Sequence, residues 1–215
     1  MGNADLTTEQ KLMIGFLVKV AIPLKYYDNK KSNRIKDAIW RAHRDVLTGR
    51  RLGGSVFENY VEKTKDGFDN DNSPLKKLYD CITDCKSRNC SLTSECLFEI
   101  LAADFFPNDY GALQKLINMS LKYFIILNEF EDVECNDIPK VNYKYCDCPL
   151  DRKIIEKLSK KSRENIDITL DDNNKRVCWT SIKKDKYDKI QQAIPQYIDH
   201  NDSPFGNLTF DFENW

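Results

Sequence analysis

Asp151 follows Cys148-Pro149-Leu150 in the stretch CDCPLDRKII and stands where an amphipathic helix would begin. A carboxylate at a helix N-terminus is held ionised by the dipole and by the free N–H groups of the first turn. That suits it to stabilise a developing cation or to take up a proton. The same position also makes an ordinary N-cap, worth ~1 kcal/mol, and the sequence supports both readings. Upstream, Lys115, Asn118 and Lys122 recur at spacings of three and four, which places them on one stripe of a helix. Sheltering a lysine disfavours its ammonium, lowers its pKa and frees an amine nucleophile. A solvated polar stripe on a surface helix has the same spacing, so this choice also stays open.

The other chemistry-bearing residues point less sharply. Eight cysteines fall at 81, 85, 90, 96, 135, 146, 148 and 178. The first four are spaced C-x3-C-x4-C-x5-C and the pair 146/148 is C-x-C, neither of them a zinc knuckle, so no metal and no other cofactor is expected. Cys81 and Cys85 sit one helical turn apart, where small apolar residues are also at home. His43, in WRAHRD, reads as a surface histidine, and Trp179 as a core filler. No phosphate-cradling glycine loop, zinc-protease motif or nucleophile elbow is present.

Net charge is −1, but its distribution is uneven. Between Lys25 and Arg51 there are nine Lys/Arg against three Asp, whereas Pro195–Trp215 carries four acids and no Lys or Arg. A basic face on a neutral chain is what phosphate binding needs, and a solvated helix gives similar counts. The opening residues MGNADLTTEQ have neither a basic segment nor an apolar run, and LMIGFLVKVAIPL is broken by Lys19 and Pro23. A cytoplasmic chain with reduced thiols and no membrane span is therefore expected.

The elements that must position these residues are mostly helical. Thr8 can cap a helix running to Tyr27, and RIKDAIWRAHRDVLTG has apolar residues at helical spacing up to Gly49. SPLKKLYDCITDCKSRN opens on Ser-Pro, a good first-turn pair. ALQKLINMSLKYFIILNEF is the longest amphipath. PLDRKIIEKLSKKS and KKDKYDKIQQAIPQYI supply later helices, while IDITLDDNNKRVCWTSI reads as a hairpin near 166–179. The expected fold is mainly α: a compact bundle of about eight helices, two lobes (1–108 and 109–200) sharing a core, a small β-hairpin and an acidic tail over 201–215.

YGALQKLINMSLKYF, followed after a loop by CPLDRKIIEKL, resembles the catalytic core of the helix-hairpin-helix DNA glycosylases. That family has a glycine-containing turn, a helix with a lysine four residues beyond the glycine, and an apolar-Pro-apolar-Asp segment that opens another helix. Gly111 and Lys115 match the first part and Cys148-Pro149-Leu150-Asp151 the second, over Tyr110 to Leu158. The long insert between lysine and aspartate is most similar to the archaeal 8-oxoguanine branch. The resemblance implies a DNA glycosylase with abasic-site (AP) lyase activity, with Lys115 and Asp151 catalytic, and Lys122 left open as the nucleophile. The expected partner is double-stranded DNA, contacted through Gly111 and Lys122 of the matched segment and Arg34, Arg41 and Arg44 of the basic segment, and a monomer is expected. The competing reading is a non-catalytic helical interaction protein of a mobile element or phage-defence system.

Overall fold

A computed structural model describes residues 7, 34–48, 54–105, 110–130, 139–161, 175–198 and 205–214. Side chains are not described at 54–57, 102–105 and 129–130. The expected helix from Thr8 to Tyr27 lies outside the described residues.

Among the described residues there are eight α-helices: α1 (Arg34–Leu47), α2 (Gly54–Thr64), α3 (Pro74–Ser87), α4 (Ser94–Phe105), α5 (Tyr110–Phe130), α6 (Arg152–Lys161), α7 (Lys184–Ala193) and α8 (Asn207–Asn214). Short 3-10 turns occur at Tyr143–Tyr145, Trp179–Ser181 and Ile194–Tyr197. Mainly α is thus the observed class. The hairpin expected near 166–179 is not supported: residues 166–174 lie outside the described residues, and no sheet forms among those described. The alternation Val177-Cys178-Trp179 that mimics a strand is an extended run ending in a buried anchor, because Trp179 turns inward and starts a 3-10 turn.

Local sequence explains the helices closest to the site. α1 buries Ile35, Ala38, Ile39, Ala42, His43 and Val46 along one stripe and packs most extensively on α5. His43 belongs to that buried stripe and is not a surface residue; its ring contacts the Tyr60 hydroxyl at 2.9 Å. Burial pushes its pKa down to about 4. In α3, Ser73 accepts a hydrogen bond from the Leu75 N–H and Pro74 fills the first turn, as Ser-Pro predicts.

α5 is the axis of the fold. It is buried on every side from Tyr110 to Leu127, polar residues included. Its apolar positions join the larger core cluster with α1, α3 and α4, while Tyr110 at its start joins a second cluster with Cys148, Leu150, Ile154, Leu158 and Tyr187. The stripe of Lys115, Asn118 and Lys122 therefore points into protein, and the solvated-stripe reading is overturned. The tail forms α8, whose Leu208, Phe210 and Phe212 are buried in the two clusters. Apolar residues every second or third position in NLTFDF outweigh its acids in placing the segment.

Candidate active site

Each polar residue that α5 buries must find a partner, because an unpaired buried polar group costs ~1–3 kcal/mol and a charge more. The partners come from the segments around it. Gln114 donates from Nε2 to the Leu150 carbonyl at 2.8 Å and accepts the Leu150 N–H at 3.1 Å. Gln191 of α7 does the same for Cys148, accepting its N–H at 2.9 Å and donating to its carbonyl at 2.6 Å. Pro149 between them has no N–H to satisfy. Two glutamines thus fasten Cys148-Pro149-Leu150 by its backbone, and the next residue is Asp151.

Asp151 divides its two oxygens between two tasks. Oδ1 accepts the Ile154 N–H at 3.0 Å, the N-cap bond of α6. Oδ2 lies 3.7 Å from Lys115 Nζ. Both side chains keep a little solvent contact, 8% for Lys115 and 13% for Asp151. The Lys115 ammonium also stands 4.6 Å from the centre of the Trp179 ring. Gly111, one turn earlier, makes that placement possible: a Cβ there would meet the Trp179 carbonyl oxygen at 2.0 Å. Only glycine lets the Trp179–Ser181 turn lie against α5 this closely. Gly111 is buried under that turn, which is its structural role here.

Trp179 also walls a cleft of about 310 Å³ with Arg152, Ile155, Glu156, Arg176, Val177 and Cys178. Arg152 and Arg176 both reach Glu156, at 2.9 and 3.8 Å. From there α6 presents Arg152, Lys153, Lys157, Lys160 and Lys161 outward, with Ile154, Ile155 and Leu158 inward.

Two turns along α5, Lys122 is hydrogen-bonded to Asp211 of α8, and both side chains are fully buried. The ammonium is also 4.8 Å from the Phe212 ring centre. Burial, opposed by Asp211, pulls the lysine pKa down; burial, opposed by Lys122, pushes the carboxyl up to about 6. Oδ1 of Asp211 is buried with no hydrogen-bond partner. Asp151 and Lys115 both act electrostatically on Asp211, so the two pairs form one cluster of four charges.

Asn118, between the lysines, accepts from Ser94 Oγ at 2.7 Å and donates to Tyr187 OH at 2.7 Å. That hydroxyl donates to Asp147 Oδ2 at 2.9 Å, and Ser94 Oγ accepts the Asp147 N–H at 2.8 Å. The loop carrying Asp151 is therefore tied to α5 at Asp147 as well.

Among the residues expected to meet DNA, Lys122 has no surface to offer a phosphate. Arg41 is engaged with Asp45 at 3.6 Å and with Tyr123 OH at 3.4 Å. Arg34 is half-buried and Arg44 exposed on α1. Sequence reasoning missed Gln114, Gln191, Asp211 and the basic face of α6. Asp211 had a signal, a single acid inside the apolar run LTFDF. The glutamines had none, because pairing with a backbone segment 36 or 43 residues away leaves no local pattern. Among the described residues no group of three or more His, Cys, Asp or Glu is arranged to hold a metal ion. Comparison with known proteins gave no matching family model, no matching characterised protein and no matching solved structure.

Proposed function

We propose that the chain is a DNA glycosylase with AP lyase activity in which Lys115 is the nucleophile and Asp151 its acid–base partner. The observation that carries this reading is the 3.7 Å approach of Lys115 Nζ to Asp151 Oδ2 at the edge of the core, with both groups still touching solvent. Lys122 fits the role poorly, since it is sealed in its pair with Asp211.

A base must leave the duplex stack before its glycosidic bond is within reach. Lys115 Nζ, once its ammonium proton has passed to solvent water, then attacks C1′ of the sugar while the C1′–N bond breaks and its electron pair leaves with the base. Asp151 takes the proton that the attacking amine loses, and its charge stabilises the cationic sugar on the way. Opening of the sugar ring gives a Schiff base between Nζ and C1′. Loss of a C2′ proton expels the 3′ phosphate and cuts the strand. The exposed cations of α6, which Asp151 caps, favour phosphates beside the pair.

Borohydride trapping on duplex DNA with an abasic site tests this without knowledge of the base. The expected result is a covalent adduct in wild type and in Lys122→Ala, where that variant is folded, and none in Lys115→Ala. Asp151→Asn should slow adduct formation by roughly 10²–10⁴-fold, the usual contribution of a general acid–base group. No adduct with any form, or an adduct unaffected by Lys115→Ala, overturns the reading and leaves Asp151 a helix cap.

A further inference from the structure

The end of α3 carries an arrangement unrelated to the lysine–aspartate pairs. Asn89 is left-handed, with φ 55°. The Cys90 N–H donates to the Cys85 carbonyl at 2.9 Å and the Asn89 N–H to the Lys86 carbonyl at 2.9 Å. These two bonds define a Schellman cap, in which the side chain two residues past the helix folds back onto the side chain three from its end. In most helices that contact is apolar; here both residues are cysteines, brought side by side by the Cys90 N–H to Cys85 carbonyl bond. Cys90 is exposed and Cys85 partly buried.

We propose that Cys85 and Cys90 form a redox-active dithiol, a modification site whose co-substrate is a low-molecular-weight disulfide of the glutathione type. The exposed Cys90 gives up its proton and its thiolate attacks one sulfur of the disulfide, forming a mixed disulfide and releasing one thiol. Cys85 then loses its proton and attacks Cys90 Sγ, closing the protein disulfide and releasing the second thiol. Two protein thiols are oxidised, and one small disulfide is reduced to two thiols. An exposed bond of this kind belongs to the labile, reversible class. Burial, with added effects of Cys90, Cys96 and Asp84, holds the Cys85 thiol up to about 11, so the closing step is slow near neutrality and quickens as pH rises.

The test uses the full chain incubated with oxidised glutathione, quenched in acid, with intact mass and unreduced peptide mapping as readouts. The expected result is loss of two hydrogens, mapped to a link between Cys85 and Cys90 and reversed by dithiothreitol. Cys85→Ser should stop at a glutathione adduct on Cys90, and Cys90→Ser should lose the internal link. Cys178, exposed and distant in sequence, serves as the reference thiol that takes an adduct without cross-linking. A stable adduct on wild-type Cys90 with Cys85 free overturns the proposal. So does a link that maps to another pair, or a silent Cys90 while Cys178 reacts.

Discussion

Lys115–Asp151 and Lys122–Asp211 are two pairs of the same composition, two turns apart on one helix, and they differ in what surrounds them. Asp151 comes from a loop end, where it caps α6 with one oxygen and offers the other to a lysine that still touches water. Asp211 sits mid-helix among Leu208, Phe210 and Phe212, sealed with its lysine. The first pair keeps a little contact with solvent. The second is closed, so its attraction chiefly offsets the cost of taking two charges out of water. Residue type makes the pairs equivalent; burial separates a pair that touches solvent from a sealed one.

The sharpest way to break this comparison is to delete each lysine. Lys115→Ala should abolish the trapped adduct and cost less in urea unfolding than Lys122→Ala, because Asp151 keeps solvent contact and its bond to Ile154. Lys122→Ala should cost ~3–5 kcal/mol in the same unfolding experiment, since it strands a buried carboxylate. Replacing both members, as Lys122→Met with Asp211→Leu, should recover most of that loss, because the stranded charge goes too. If Lys122→Ala is as stable as wild type, the second pair is not sealed and the distinction fails.

A buried titratable group whose hydrogen-bond partner is a neutral hydroxyl sharpens the contrast. His43 is 4% exposed and faces a tyrosine hydroxyl, and burial lowers its pKa from 6.5 to about 4. Between those values the unfolded chain binds the proton and the folded chain does not, so stability falls as pH drops through this window. The full loss is up to about 3 kcal/mol at 1.36 kcal/mol per pKa unit. The stabilising contribution is complete above pH 6.5 and gone below about 4. His43→Gln keeps a hydrogen-bonding group for Tyr60 and should flatten the stability profile across that window by the same amount. An unchanged profile would mean that the histidine is not held neutral in the fold.

The legible parts of this molecule are those written in local periodicity. The inner stripe of α1, the Ser73-Pro74 start of α3 and the order of most helices follow from residues close in sequence. The Lys115–Asp151 approach was reached through a resemblance in two short segments, not through a physical signal linking them. Burial of α5 all round was not legible, because Lys115, Asn118 and Lys122 look solvated until their partners from α4, α6, α7 and α8 are in place. His43 misled for the same reason: its neighbours Arg41 and Arg44 are charged, and only the three- and four-residue spacing to Ile39 and Val46 marks it as inner. The hairpin expected near 166–179 is not supported, since 166–174 lie outside the described residues and the described part ends in the buried Trp179 turn.

The smallest expected effect bears on Asp151, whose two oxygens serve the two sides of the comparison at once. Asparagine caps a helix about as well as aspartate, whereas alanine cannot, so Asp151→Ala should cost ~1 kcal/mol and Asp151→Asn much less. Both variants should slow adduct formation by the same roughly 10²–10⁴-fold, because neither offers a carboxylate to Lys115. Stability would then follow the Oδ1 bond to Ile154 and activity the Oδ2 approach to Lys115, two properties of one side chain moving independently. Should Asp151→Asn destabilise as much as Asp151→Ala, the pairing with Lys115 is itself a stabilising contact. The first pair would then resemble the second more closely than their exposures indicate.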